Sequence, residues 1–545
     1  MLDIFRFFFK AVMAISIFFS SILNPAVILP ESEDLDFTYL EYPQGAALTL
    51  EEAGLTEAEL KSRADDAELY EAAKGYDDVN GLVVSPYYTA SIGETQIPVY
   101  AATVYLGETN KGELHSFSEV YFEKDADFTF NIQLTSTGFK IKNAIVLPES
   151  LGTGAVCKNG VMTASITDFG IYTFLFNNAG QQAAYTLFVR EKTDEDAEIA
   201  QLRAQYGETA VTVVENGVHY LDYANATQDN TIYYLRQGAY LIANHKYDIA
   251  SEADEALYDE GATKDNTIGL TRYPFVNFYA CENLKVIGNG VLDLSHLDRR
   301  ERRGIVFTDC NNIEVRGVKI VNAPEWAFIT YNCENVVIED VDIFGYRQNA
   351  DAFAICNSRN VVVNNCFART GDDLFDVKAL GGVETAVSDN ITFTNCIAWG
   401  GKARCFGICG EVYKDISNVT FKDCAVIVRD ATWDNDRVSS LAIIVEDGGG
   451  SIKNITFENI EIFRDDGRAI GCLIYGDDVE NFSIENVVYK NISYVSCQPN
   501  KFTSNGSDTN SISATLENVR FGDSVVDKNS FGKFVYDECA DLMFK

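Results

Sequence analysis

Three carboxylates carry the densest chemical signal in this chain. Asp351 precedes the adjacent pair Asp372 and Asp373 by 21 and 22 residues, within ArgGlnAsnAlaAsp (347–351) and ThrGlyAspAsp (370–373). Like charges gathered on one surface raise at least one pKa. One carboxyl then holds a proton while another stays ionised, as a general acid and a general base require. Spacing alone leaves two other uses open, a calcium site or an acidic turn ladder.

Whether the three meet depends on the elements that carry them. From about residue 210 an Asn followed by an apolar β run recurs. It is found at Asn283, Asn312, Asn335, Asn360, Asn390, Asn418, Asn454 and Asn481, at intervals of 29, 23, 25, 30, 28, 36 and 27 residues. Such a unit, rich in Val, Ile and Asn, predicts a right-handed parallel β-helix, because each coil buries its apolar face only against its neighbours. The Asn amides then hydrogen-bond up a ladder. A leucine-rich repeat needs another Leu spacing, and a propeller needs longer four-stranded units. With coils of about 23 to 25 residues here, the offset of 21 to 22 puts the carboxylates at nearly equivalent places on adjacent coils. The expectation is eight or more coils, the first near Tyr233 to Ile242.

The expected fold is all-β: a right-handed parallel β-helix (a pectin-lyase-like solenoid) preceded by a small β-sandwich. Residues 1–26 read as a signal peptide, with Arg6 and Lys10 ahead of the apolar run Ala11 to Leu23. An uncleaved membrane anchor is the alternative. Residues 27–81 are acidic, irregular or helical. Short alternating runs such as VYAATVYL and FTFNIQLT predict an immunoglobulin-like β-sandwich over 82–190. A linker follows at 191–209 and the β-helix at 210–545. The expected mature protein is a secreted monomer with no stable membrane insertion.

Composition narrows the partners. The 545 residues include 43 basic and 81 acidic ones, a net charge of −38. That excludes a nucleic-acid partner and disfavours anionic polymers. An apolar content of 47% excludes a mostly disordered chain. Thirteen cysteines cannot all pair within the chain. Cys310, Cys333, Cys366, Cys396 and Cys424 each follow a similar polar pair, which predicts free thiols stacked in the coils. With no Cys-x-x-Cys and four histidines, no metal and no cofactor is expected.

Residues 287–378 resemble the β-helical polygalacturonases of glycoside hydrolase family 28. ValIleGlyAsnGlyValLeuAsp (286–293) resembles Gly-x-Gly-x-x-Asp-Gly, and AlaProGluTrp (323–326) resembles Ser-Pro-x-Trp. AsnAlaAsp (349–351) resembles Asn-Thr-Asp, and GlyAspAspLeuPheAspValLys (371–378) resembles Gly-Asp-Asp-Cys-Ile-Ala-Ile-Lys. Family 49 dextranases are similar in domain order and in the motifs around GlnAsnAlaAsp (348–351) and the Asp pair. Both resemblances imply an inverting glycoside hydrolase: Asp372 protonates the glycosidic oxygen, while Asp351 and Asp373 activate water. Two family 28 features are missing. Arg404 stands where the His of Gly-His-Gly belongs, and LeuAlaIle (441–443) stands where Arg-Ile-Lys belongs. In polygalacturonases that pair grips the substrate carboxylate, so its loss points to a neutral poly- or oligosaccharide.

Candidate substrate-binding residues are Gln348, Asn349, Lys378, Arg404, Trp326, Tyr331 and Trp399, with Trp433 a further aromatic able to stack on sugar. The competing readings are a calcium-dependent polysaccharide lyase using Arg404, a pectin hydrolase, and a non-catalytic glycan-binding solenoid. Gathering three carboxylates argues against the last.

Overall fold

The computed structural model describes residues 35–43, 81–106, 111–124, 126–137, 139–177, 184–221, 224–243, 274–297, 303–381, 386–430, 433–434, 437–530 and 532–545. The signal-peptide expectation and most of the 27–81 segment lie outside the described residues. No helix among the described residues is long and apolar enough to cross a membrane. The chain divides into two compact units.

The first unit is built on two β-sheets. One holds Tyr88–Ile92, Thr95–Ile97, Phe130–Ser136, Ala155–Lys158 and Val161–Ile166. The other includes Lys111–Phe122, Gly170–Phe176 and Ala184–Glu191. Along Phe130–Ser136 buried and exposed residues alternate, so one face turns inward. Ile132 and Leu134 from one sheet and Val120, Phe174 and Leu187 from the other share one core. Thr38–Tyr39, within the segment expected to be irregular or helical, instead adds a short strand beside Val120 and Tyr121. An extended pair costs little once a sheet edge offers hydrogen bonds.

The expected linker contains a full helix, Glu195–Tyr206. Three acidic residues in its first turn suit the helix dipole. Its Ile199 and Leu202 are buried against Val211, Ile232 and Tyr234 of the first solenoid coils.

From Val211 onward the second unit is a parallel β-helix. Each central coil contributes three short strands, exemplified by Glu334–Glu339, Asp342–Phe344 and Phe353–Cys356. The same positions pair parallel with the next coil: Val336 with Val361, Ile343 with Ala368, Phe353 with Phe375. Inward residues form one continuous core from Leu235 to Val526. Phenylalanines stack through it, with Phe353, Phe375 and Phe406 separated by 4.9 and 5.0 Å.

The recurrent Asn residues turn the chain. Asn335, Asn360 and Asn390 have φ of 59°, 55° and 54°, the left-handed region that Asn tolerates best after Gly. Their amides also climb the stack: Asn360 donates to Asn335 at 3.1 Å and Asn390 to Asn360 at 2.8 Å. The last rung differs from the expectation. Asn486, not Asn481, donates to Asn454, at 2.9 Å. Register there is set by the inward pairs Ile452 with Ile484 and Ile455 with Val487, which bring Asn486 into line.

All thirteen cysteines are free and ten are buried. Stacked thiols donate to carbonyls of their own and the neighbouring coil, as Cys333 does to Tyr331 and Phe307, both at 3.4 Å.

Candidate active site

The third strand of each coil carries the site. On Phe375–Ala379, Phe375 and Val377 point into the core, so Asp376 and Lys378 face out. The catalytic candidates stand just before these strands. Trp326, Asp351, Asp373 and Arg404 each lie two residues ahead of an aligned Phe. Backbone bonds fix three of them on one rung. Ala327 N–H donates to Asp351 O at 2.8 Å, Ala352 N–H to Asp373 O at 2.8 Å, and Leu374 N–H to Arg404 O at 3.0 Å. A spacing of one coil therefore becomes adjacency across the sheet.

Around this rung lies a cleft of about 340 Å³. Gln348, Asn349, Asp351, Asp372, Asp373, Lys378, Arg404 and Trp326 all line it, together with Trp433, Lys402, Glu411 and Glu446. Two expected binders do not. Tyr331 is buried among Val306, Ile329 and Cys356. Trp399 is wholly buried, its Nε1–H directed at Asp430 at 3.3 Å and its ring covered by Arg369 at 3.8 Å. Aromatics on β-helix strands bury readily, and these two serve packing rather than sugar stacking.

The charges are unevenly distributed. Lys378 Nζ is buried 3.6 Å from Asp351, 4.0 Å from Asp373, 3.4 Å from Asp376 and 3.3 Å from Glu411. One ammonium thus faces four carboxyl groups, and burial penalises every charge. Asp372 receives the Asn349 N–H at 3.2 Å and the Asp373 N–H at 3.1 Å. Burial first, and the neighbouring Asp373 second, push its carboxyl up to about 6, against the pull of Arg404 and Lys378. Burial also holds Asp351 well above the ordinary carboxylate range, with Lys378 opposing. Burial raises Asp376 to about 7. Asp373 is different: Arg404 donates to it twice, from its backbone N–H at 2.9 Å and from Nη1 at 3.1 Å. The cleft therefore sets a proton-holding carboxyl beside one locked to a guanidinium.

Arg404 is engaged through both terminal nitrogens. Its Nη2 donates to Glu446 at 2.7 Å, and its guanidinium lies 5.6 Å from the Trp433 ring centre. Asp376, Glu411 and Glu446 were not singled out from the sequence. The signal for Asp376 was present as an acidic residue inside an otherwise apolar strand, at an outward position of the two-residue alternation.

Comparison with known proteins places this geometry. Residues 293–521 match the model of glycosyl hydrolases family 28, a segment that contains the whole rung. The chain resembles the β-helical glycoside hydrolases. Polygalacturonase QRT2 from Arabidopsis thaliana is 25% identical over 211 residues, covering 36% of this chain and 44% of the relative. Polygalacturonase-2 from Solanum lycopersicum is 28% identical over 206 residues, covering 34% and 40%. The matches thus span under half the length of either relative. Among solved structures, Dex49A from Penicillium minioluteum superposes with a TM-score of 0.60 at 12% identity, covering 86% of this chain and 95% of that one. That likeness extends the shared fold well beyond the family 28 segment. The family match and its relatives support glycoside hydrolase activity.

Proposed function

We propose that this protein is a secreted inverting glycoside hydrolase acting on a neutral poly- or oligosaccharide. Its organisation is taken as signal peptide 1–26, acidic segment 27–81, β-sandwich 82–190, linker 191–209 and catalytic β-helix 210–545. Asp372 is the general acid. One observation carries the reading: within the family 28 match, a half-buried carboxyl raised to about 6 faces a cleft shared with two further aspartates. A raised acid can hold its proton near neutral pH and give it to the leaving oxygen.

Asp351 and Asp373 hold and deprotonate the attacking water. Arg404 donates to Asp373 from its backbone N–H and from Nη1, which fixes the orientation of that carboxylate, as a base requires. Asp351 shares the buried Lys378, so a proton taken from water is accommodated within the cluster. Trp326 forms part of the cleft wall beside Lys378, whose Nζ lies 4.6 Å from its ring centre. Against the lyase reading stands Arg404, whose guanidinium is tied to Asp373 and Glu446 and so is poorly placed to act as a base.

The experiment is hydrolysis of a polysaccharide panel, with the first-released anomer followed by NMR. Inversion on a neutral glycan is expected. Retention would demand a nucleophile and a closer carboxyl pair. An unsaturated product would replace hydrolysis with elimination.

A further inference from the structure

The cleft presents more than the carboxyl groups that do chemistry. Its wall holds five carboxyl groups, Asp351, Asp372, Asp373, Glu411 and Glu446, against three cations, Lys378, Lys402 and Arg404. Two of the five belong to none of the motifs above. Glu411 lies on Phe406–Val412 and Glu446 on the next strand, Leu441–Gly448, so they occupy neighbouring coils. Each holds a cation of the cleft from the open side. Glu411 Oε2 accepts from Lys378 Nζ at 3.3 Å, and Glu446 Oε1 accepts from Arg404 Nη2 at 2.7 Å. The same Glu446 oxygen lies 3.6 Å from Arg437 Nη1.

Exposure separates the partners. The Lys378 and Arg404 side chains are 4% and 7% exposed, whereas those of Glu411 and Glu446 are 31% and 30% exposed. At Lys378 and Arg404 an incoming sugar therefore meets carboxylate oxygen first, with the positive charge behind it; Lys402 is the remaining cation of the wall. Each carboxylate has more lone-pair sites than its cation uses, and these accept hydrogen bonds from hydroxyls. An anionic sugar in the same place would be repelled by both glutamates and would find Lys378 and Arg404 already paired.

We propose that Glu411 and Glu446 are the specificity-determining residues of this cleft: they accept hydrogen bonds from the hydroxyls of an uncharged glycosyl unit and exclude uronate. The proposal rests on the glycosidase reading and assigns its substrate class to two residues. Glu446 is the more telling of the pair. It stands three residues beyond LeuAlaIle (441–443), on the strand where the resemblance places substrate-gripping cations. This chain has no cation at those three positions, and the strand carries a carboxylate that occupies Arg404 instead.

The test measures oligosaccharide binding to the full chain carrying Asp372→Asn, in which cleavage is slow on the time of a titration. Isothermal titration would compare an uncharged oligosaccharide, chosen from the panel as the best substrate, with an oligogalacturonate of equal length. The neutral ligand should bind at least tenfold more tightly. Adding Glu411→Gln or Glu446→Gln keeps shape and removes one negative charge. Each should narrow that preference by about threefold to tenfold, and the double change by more. Lower salt should widen the preference in the parent and not in the double variant. An unchanged ratio in the double variant would overturn the role of the two glutamates while leaving the glycosidase reading intact. Tight oligogalacturonate binding by the parent would do the same. Absence of any hydrolysable glycan for the wild-type chain would instead remove the reading beneath it.

Discussion

Two buried charge clusters lie on the same solenoid and obey opposite rules. At Arg429 the accounts balance. Its Nε donates to Asp465 at 3.0 Å, and Ser440 Oγ and Gly467 N–H donate to the same carboxylate at 2.6 and 2.7 Å. A further bond runs from Arg429 Nη2 to the Arg468 carbonyl at 3.2 Å. One cation meets one carboxylate, both wholly buried, and both oxygens of Asp465 are bonded. At Lys378 one ammonium lies within 4.0 Å of four carboxyl groups, of which Asp373 is also held by Arg404, and both oxygens of Asp376 lack a hydrogen-bond partner. Lys378, Asp351, Asp373 and Asp376 are buried almost as deeply as the Arg429 pair, and Glu411 alone of the four carboxyl groups opens to the cleft. Stoichiometry differs. A balanced pair holds coils together, whereas an excess of carboxyls stores protons. Strained titration of that kind is characteristic of working sites.

The comparison breaks most sharply at Asp372. Asp372→Asn should lower turnover by about a hundredfold or more with modest change in binding. Substrates with good leaving groups should recover part of the rate, since they need no acid. Near-normal turnover on natural glycan would end the assignment. On the balanced side, Asp465→Ala should leave Arg429 buried without its carboxylate, costing about 3 to 5 kcal/mol of stability. Denaturant unfolding reads that loss, and an unfolding free energy within about 1 kcal/mol of the parent's would contradict it.

Proton storage predicts a pH signature. Asp372 sits at about 6, so kcat/KM should decline as pH rises past about 6, as the acid loses its proton. Stability should move the same way. Asp372 and Asp376 are raised above their unfolded value of 3.8, so the folded state binds protons more tightly. Their stabilising contribution is complete below about pH 4 and is lost as pH rises through about 6 and 7. Asp376→Asn should flatten the upper part of that decline in thermal unfolding scans from pH 4 to 8. An unchanged slope would show that Asp376 does not titrate there. The smallest effect is expected at Trp399→Phe. Losing the Nε1–H contact to Asp430 should cost about 1 kcal/mol and leave KM unchanged, because the ring lies in packing rather than in the cleft. A severalfold rise in KM would return Trp399 to the binding surface.

Which parts of this were legible beforehand follows from periodicity. A solenoid converts one-coil spacing into contact, so Asp351 and Asp373 could be brought together from their interval alone. The Asn rungs were readable for the same reason as far as Asn454. At Asn481 the eye follows the polar residue, while the chain follows the inward Ile484 and Val487. Lys378 and Arg404 were reachable through motif likeness. Glu411 and Glu446 were not, because nothing in a motif says which partner a buried cation will take. Tyr331 and Trp399 failed for a different reason. Both lie on strands packed between neighbouring coils, and an aromatic side chain carries no mark of which face it will find.

The Asn rungs have one more implication. Intervals between neighbouring rungs range from 23 residues, Asn312 to Asn335, to 36, Asn418 to Asn454. Yet the side-chain bond spanning the longest gap, from Asn454 to Asn418, is 3.0 Å, much like the 3.1 Å bond from Asn360 to Asn335 across 25 residues. Length inserted into a coil is thus absorbed between the rungs and never reaches them. The scaffold is indifferent to the size of its own loops. Descent with modification can therefore redraw the walls of the groove, one coil at a time, while the carboxylates of its floor stay where they were.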